Sequence, residues 1–421
     1  MKKLLILVLL IIGGLLWGTP QAFVVNTISM TLSKVDLTTG DVNNNFATLG
    51  SGANRIAING DFIYAINSMD NNLQKIDAAT GNVISTLNFE NSSNPYDLVI
   101  IDGFAYVTGL ITSKVYKVDL TSFSVVGSVE VNTAPEGIAY FNGNLYVACT
   151  AVVYPNYGQS SVDVINVENF TNIASINVGL NCQNVVVSNS KIHAICTGNY
   201  SDIQGEADVI DPINNTVIHT ISVGGTPGSA FAFNNLVYVC DGYSYGTIVY
   251  DADSYEFVYS ADNPLSAFGS SIFVNEDYIA ITSADYTNNS SLKILSNEGD
   301  EINTYEVAVG AVDVVIFDTE TSVSDANIPA SNWTINAYPN PFSNYSTIEV
   351  KNNNKRTVLN NGTVEIFNIK GQIVNTLKLK NGKAHWNGKD KLNNRCHSGI
   401  YFSRVRSGNK IFSTKRITII R

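Results

Sequence analysis

The sequence predicts an all-β chain, a seven-bladed β-propeller followed by a small C-terminal β-sandwich. One observation is compositional: 14% of residues are charged and 45% hydrophobic, with Tyr, Asn, Ser, Thr, Gly and Val recurring throughout, which suits short strands joined by polar turns. A second is a strand-turn-strand phrase that returns every 40 to 47 residues. The third is length, because 421 residues exceed what one hydrophobic core organises.

The chain opens with Met1-Lys2-Lys3 and an apolar run from Leu4 to Trp17, then Gly18-Thr19-Pro20-Gln21-Ala22. A basic start, a short apolar stretch and small or polar residues after it predict a secretory signal peptide over residues 1–22. A membrane span needs about 20 apolar residues, so the mature chain is expected to have no integral span. An uncleaved anchor is the alternative, and Pro20 two positions before Ala22 leaves the cleavage site poorly defined.

The repeats follow. Ile56 to Ile66 turns at Asn59-Gly60-Asp61, Val99 to Val107 at Asp102-Gly103, and Ile138 to Val147 at Asn142-Gly143. Val185 to Ile195, Ala230 to Val239 and Ser271 to Ile281 complete six copies, with Tyr64, Tyr106, Tyr146, His193, Tyr238 and Ala280 at equivalent places. Asn-Gly and its relatives supply the positive φ of tight hairpins. Each copy is followed by an apolar-Asp phrase and another strand, as in Lys75-Ile76-Asp77-Ala78-Ala79-Thr80-Gly81. A seventh such half stands alone at Lys34 to Gly40, and Ala311 to Phe317 reads as a first strand with nothing after it. Complementary halves at the two ends predict a closed ring over residues 28–317, one blade being completed by 28–49 with 311–317. An open solenoid would show capping repeats instead.

Phe104-Ala105-Tyr106-Val107-Thr108-Gly109 and Asn144-Leu145-Tyr146-Val147-Ala148, with the apolar-Asp-x-x-Thr-Gly-x-Val phrase, resemble the Tyr-Val-Thr-Asn (YVTN) repeat of bacterial surface-layer propellers. The resemblance covers about residues 28–317 and implies the fold, not an activity.

Residues 318–333 read as a polar linker. After it, strand-like runs separated by Asn361-Gly362, Lys370-Gly371 and Asn381-Gly382 predict a small sandwich of about the immunoglobulin class. Tyr338-Pro339-Asn340-Pro341-Phe342, Ile366 to Val374, Trp386-Asn387-Gly388-Lys389-Asp390, Ser398-Gly399-Ile400-Tyr401-Phe402 and Thr414-Lys415 resemble, in that order, the type A C-terminal sorting domain of the type IX secretion system of Bacteroidota. The positions matching that pattern are Pro339, Pro341, Gly371, Gly399, Tyr401 and Lys415. The resemblance implies that residues 334–421 address the chain to the type IX machinery, and hence to the medium or the outer-membrane surface by way of the periplasm.

Charge separates the two parts. From Trp333 onward there are 16 Lys and Arg against three acids, and the residues before it hold nine bases against 33 acids, a net charge of −24. An acidic body of this kind has no electrostatic footprint for nucleic acid. The five cysteines lack metal-ligand spacing and no metal or cofactor is expected. Cys182 and Cys196 fall almost opposite each other across a hairpin, so one disulfide is open to them in an oxidising compartment; small buried thiols are the alternative.

Loops joining second to third strands, and those entering each first strand, share one face of a propeller. They carry Tyr154, Tyr157, Tyr200, Tyr243, Tyr245 and Tyr286, a set suited to binding a glycan or an extended peptide, or else to shielding hairpin ends. Arg55 and Glu136 are placed near the channel mouth, with Pro95-Tyr96 and Asn181-Cys182-Gln183 as further entry residues. Asp202, Glu206 and Asp208 lack the spacing of a calcium loop. A hydrolase or lyase with its site at the channel is the rival class, but the only histidines in this part, His193 and His219, fall within predicted strands. The residues therefore favour a binding or structural role, with no catalytic group assigned.

Overall fold

A computed structural model describes residues 19–243, 245–318, 333–340, 342–352, 362–368, 373–391, 393–407 and 410–419. The chain splits into two compact units, 1–320 and 321–421. The expected signal peptide up to residue 18, most of the expected linker, Pro341 and Gly371 lie outside the described residues.

Among the described residues the first unit holds seven four-stranded antiparallel sheets. A typical one runs Ala53–Asn59, Phe62–Asn67, Asn72–Asp77 and Val83–Asn88 from its inner to its outer strand. The second strand is the most deeply buried, since its neighbours in the sheet and the adjacent sheets cover both faces: Ile63, Ala65 and Ile66 are fully buried and Tyr64 nearly so. Burying each such Ile or Tyr contributes about 1.5–3 kcal/mol. The inner strands touch in chain order through Pro95–Ile101, Pro135–Phe141, Cys182–Ser188, Ser229–Phe233 and Ser271–Val274 to Ala311–Asp318, which touches Ala53–Asn59 again. The sheets thus close into a β-propeller.

The repeated Asp has a local cause. Asp77 Oδ1 accepts from the backbone N–H of Ala79 and Thr80 at 3.1 and 2.8 Å, closing the turn to the outer strand. Asp36, Asp119 and Asp251 do the same with their own following residues. These are Asx turns, in which a side chain substitutes for a backbone acceptor. Hydroxyls at the ends of second strands tie neighbouring sheets together: Ser68, Thr108 and Thr197 donate to the carbonyls of Pro95, Glu136 and Pro227 at 2.6–2.7 Å.

The closing sheet is ordered Val42–Thr48, Thr31–Asp36, Pro20–Asn26, Ala311–Asp318. Here the structure departs from the expected boundaries. The first end supplies three strands, not two, and Pro20–Asn26 is the second strand, with Phe23 where Tyr64 stands in the next sheet. A cut after Ala22 would remove Pro20, Gln21 and Ala22 from it. Ala22, Phe23, Val24 and Val25 are buried on both faces and so lack the alternation of a half-exposed strand. Their composition resembles the apolar run before them, which is why the sequence placed Ala22 in the leader and left Phe23 to Val25 outside the ring. The closing strand likewise reaches Asp318, the first residue of the expected linker.

The second unit packs a three-stranded sheet (Trp333–Tyr338, Ser346–Asn352, Lys383–Trp386) and a four-stranded one (Ile373–Lys378, Thr363–Asn368, Gly399–Ser407, Lys410–Ile419) over one core. Trp386 is fully buried, edge-on to both Phe342 and Tyr401 with ring centroids 5.5 and 5.1 Å away. The Pro-Asn-Pro-Phe segment is fixed to the last strand, because Asn340 Oδ1 accepts from Thr418 N at 2.8 Å and Phe342 N donates to Thr418 O at 2.9 Å. Tyr401 donates its hydroxyl to His397 O at 3.0 Å, while Pro339 and Lys415 are exposed. Gly399 has φ +149, in the region that favours glycine, so an Ala there would be strained with nothing nearby to clash.

Candidate functional site

The first residues of the seven inner strands build the channel mouth, since each strand enters the ring at the same height. Pairing to the second strands places Arg55, Asp97, Asn184, Ser229, Ser271 and Asp313 in one tier. Asn54, Tyr96, Glu136, Gln183, Ser270 and Val312 each precede that tier by one residue. A cavity of about 440 Å³ opens there, lined by Asn54, Arg55, Tyr96, Gln183 and Ser270 and walled by Tyr200, Tyr243 and Tyr286.

Arg55 lies between two carboxylates from the strands on either side. Its Nη1 donates to Asp313 Oδ1 at 3.0 Å, and its Nε stands 3.2 Å from Asp97 Oδ1 without the alignment of a hydrogen bond. Asp313 also accepts from Ile56 N at 2.9 Å and Ser271 Oγ at 3.0 Å, so it joins three inner strands at the seam of the ring. Burial works against the guanidinium charge, but the two carboxylates more than offset it. Burial pushes the Asp97 carboxyl up, with Arg55 opposing.

Glu136 is 8% exposed, its Oε2 has no hydrogen-bond partner, and the Tyr96 side chain hydrogen-bonds to its carboxyl group. Burial pushes that carboxyl up to about 8, against the lowering effects of Tyr96 and Arg55. Glu136 in turn drives the Tyr96 hydroxyl well above its usual range. An acid raised in the folded state binds a proton that the unfolded chain has lost, so stability falls as pH rises between about 4.5 and 8. Glu136→Gln is therefore expected to unfold at higher urea than the parent at pH 8 and at the same urea at pH 4. Paired urea titrations at the two pH values measure this.

The structure separates the tyrosines singled out in the sequence. Tyr200, Tyr243 and Tyr286 come together at the mouth, with exposures of 54%, 78% and 54%. Tyr200 accepts from Gln183 Nε2 at 3.3 Å and interacts electrostatically with Tyr157 and Glu136. Tyr154 and Tyr157 belong to a small hairpin, Val152–Val153 with Asn156–Tyr157, and Tyr154 projects from its tip into solvent. Tyr245 turns away: its ring covers Gly224 and Gly225, where added Cβ atoms would come within 3.1 and 2.3 Å of it. That is the shielding role. Asp97 and Asp313 were not singled out in the sequence, because Asp97 reaches Arg55 from the neighbouring sheet and Asp313 only through ring closure across 258 residues.

Cys182 and Cys196 occupy directly paired positions, and both are buried thiols here. His193 Nδ1 lies 3.0 Å from the Tyr250 hydroxyl, and burial lowers its pKa to about 4. His219 stacks on Tyr255 at 4.3 Å. Asp208 accepts from Gly179 N and Asp202 from Asn199 Nδ2, both at 2.8 Å. Among the described residues no group of three or more His, Cys, Asp or Glu is placed to hold a metal, and no helix is long and apolar enough to cross a membrane.

Residues 336–420 match the family model described as the secretion system C-terminal sorting domain. No curated protein sequence matches the chain. Among solved structures, Kuenenia stuttgartiensis hydrazine synthase is similar over 64% of this chain and 96% of that one, at 14% identity and a TM-score of 0.52, a likeness of fold. The computationally designed Ika8 protein matches over 80% of this chain and 96% of that one, at 10% identity and a TM-score of 0.47. The C-terminal unit is thus a type IX sorting tail, and the chain is destined for secretion or the cell surface.

Proposed function

We propose that the chain is an exported binding module of the surface-layer (YVTN) propeller type, cleaved from a signal peptide, in which the channel mouth holds a glycan or peptide ligand. The carrying observation is the convergence of Tyr200, Tyr243 and Tyr286, from three different sheets, on the cavity that contains Tyr96, Gln183 and Arg55. Exposed rings with polar tips, set over amide and hydroxyl groups on a rigid ring, suit recognition better than they suit stability. The test screens the full chain, with and without Tyr200→Ala, Tyr243→Ala and Tyr286→Ala combined, against a glycan and peptide array. A saturable ligand lost in the variant is expected, with a fall in affinity of at least about 100-fold if each ring contributes about 1 kcal/mol or more. Equal binding by both proteins would overturn this assignment.

A second reading, a self-associating layer component, rests on the rim. Ile84, Val126, Ile173, Ile218, Val258 and Ile302 stand on six successive outer strands, each at least half exposed. A belt of this kind would serve contacts between copies of the chain.

A further inference from the structure

Cys182 and Cys196 meet across a hairpin of the ring, and the register of that hairpin decides what they can do. Cys182 opens the inner strand Cys182–Ser188, Cys196 ends the second strand Lys191–Cys196, and the two are direct partners. Thr197 N donates to Asn181 O at 2.9 Å, so the neighbouring pair is a hydrogen-bonded one. By the alternation of an antiparallel ladder, Cys182 and Cys196 then form a non-hydrogen-bonded pair, in which side chains share one face and stand closest. Their Cα atoms are about 4.5 Å apart in such a pair, within the ~4.4–6.8 Å that a disulfide spans. The Cys182 side chain, ahead of burial, holds the Cys196 thiol well above its usual range.

No other cysteine faces a cysteine across a ladder. Cys149 pairs with Pro135 and Cys240 with Ser229, while Cys396 belongs to the C-terminal unit. Cys149, on the preceding sheet, comes within electrostatic reach of Cys182 and is its one rival partner.

The sorting tail sends the chain out of the reducing cytoplasm, so opposed thiols of this kind meet an oxidising compartment. We propose that the exported chain carries a Cys182–Cys196 disulfide, closed during folding by a disulfide-bearing thiol oxidase. The inference does not depend on a ligand at the mouth. One cysteine thiolate attacks a sulfur of the oxidant, forming a mixed disulfide and releasing one oxidant thiolate. The second cysteine thiolate attacks the cysteine sulfur of that mixed disulfide, closing the bond and releasing the other oxidant thiolate. Two electrons pass to the oxidant, and the two S–H protons go to the thiolates it releases or to water. Timing follows from burial: Cys182 and Cys196 are 0% and 1% exposed, so neither sulfur of the folded chain is open to the oxidant. The bond closes before the adjacent sheets cover the hairpin. It then pins the strand entry beside Gln183, which lines the mouth and donates to the Tyr200 hydroxyl at 3.3 Å.

The experiment directs the full chain to the oxidising periplasm of an expression host, traps free thiols with iodoacetamide in urea, and maps the peptides without reductant. The same chain refolded in reductant is the control. A peptide pair joining Cys182 to Cys196, with Cys149, Cys240 and Cys396 alkylated, is expected from the exported protein, and five alkylated cysteines from the control. Reduction should lower the urea midpoint of the exported protein by roughly 1 M. Cys182→Ala combined with Cys196→Ala should abolish that difference. Oxidised glutathione should link the pair when present during refolding and fail to link it when added to the folded, reduced control. Five alkylated cysteines in the exported protein, or a bond from Cys182 to Cys149, would overturn the assignment, and rapid linking of the folded control would overturn the timing.

Discussion

Deleting Ala311–Asp318 is expected to abolish cooperative folding of the propeller at ambient temperature. This strand is the inner member of the closing sheet and pairs with Pro20–Asn26 from Pro20↔Asp318 to Asn26↔Ala311. Its loss removes Val314 and Ile316 from the core they share with Ala22 and Val24, each contributing about 1.5–3 kcal/mol. It also exposes the row of N–H and C=O groups on Pro20–Asn26 and takes Asp313 from the two inner strands it bonds, Ala53–Asn59 and Ser271–Val274. Together these exceed about 5 kcal/mol, against total stabilities of about 5–15 kcal/mol. Circular dichroism melts should show a broad, non-cooperative transition. A sharp melt within a few degrees of the parent would mean that the ring does not need its seam.

Arg55→Ala should cost about 3–5 kcal/mol, because it removes one member of a buried ion network and leaves the others uncompensated. The Asp97 and Asp313 side chains are 11% and 6% exposed, and without the guanidinium neither has another cation in contact among the described residues. A fall in urea midpoint with unchanged slope is the expected result. The pH dependence supplies a signature. Burial already raises the Asp97 carboxyl, and in the variant Arg55 no longer opposes it, so its destabilising effect is present at neutral pH and relieved as pH falls toward 4. The gap between variant and parent should therefore narrow on acidification. A gap that stays constant would assign the loss to packing of the Arg55 stem instead.

Much of the ring was legible in the sequence because its local chemistry repeats. Asn142-Gly143 and Asp102-Gly103 mark hairpins by the positive φ they adopt, +47° and +86° in the first pair. The recurring Asp marks the turn that its own carboxylate builds. What the sequence misplaced was the strand around Phe23, since burial on both faces erases the alternation by which strands are recognised. The mouth was legible only in part. Loop tyrosines could be found, but whether a ring faces the cavity, as Tyr243 does, or folds onto Gly224 and Gly225, as Tyr245 does, depends on glycine positions twenty residues away. The Arg55–Asp313 pair depends on closure of the whole ring, which no local pattern encodes.

The proposal sets recognition at the mouth of the ring against contacts on its rim. It is tested most directly by comparing two triple variants of the full chain, Tyr200→Ala with Tyr243→Ala and Tyr286→Ala, and Ile84→Ser with Val126→Ser and Ile218→Ser. Both are measured for retention on the array ligand and for sedimentation. With recognition at the mouth, the mouth variant loses retention and sediments as the parent does, while the rim variant keeps retention. Loss of retention or of assembly in the rim variant alone, with the mouth variant unchanged, would contradict it and assign the function to contacts between copies of the chain.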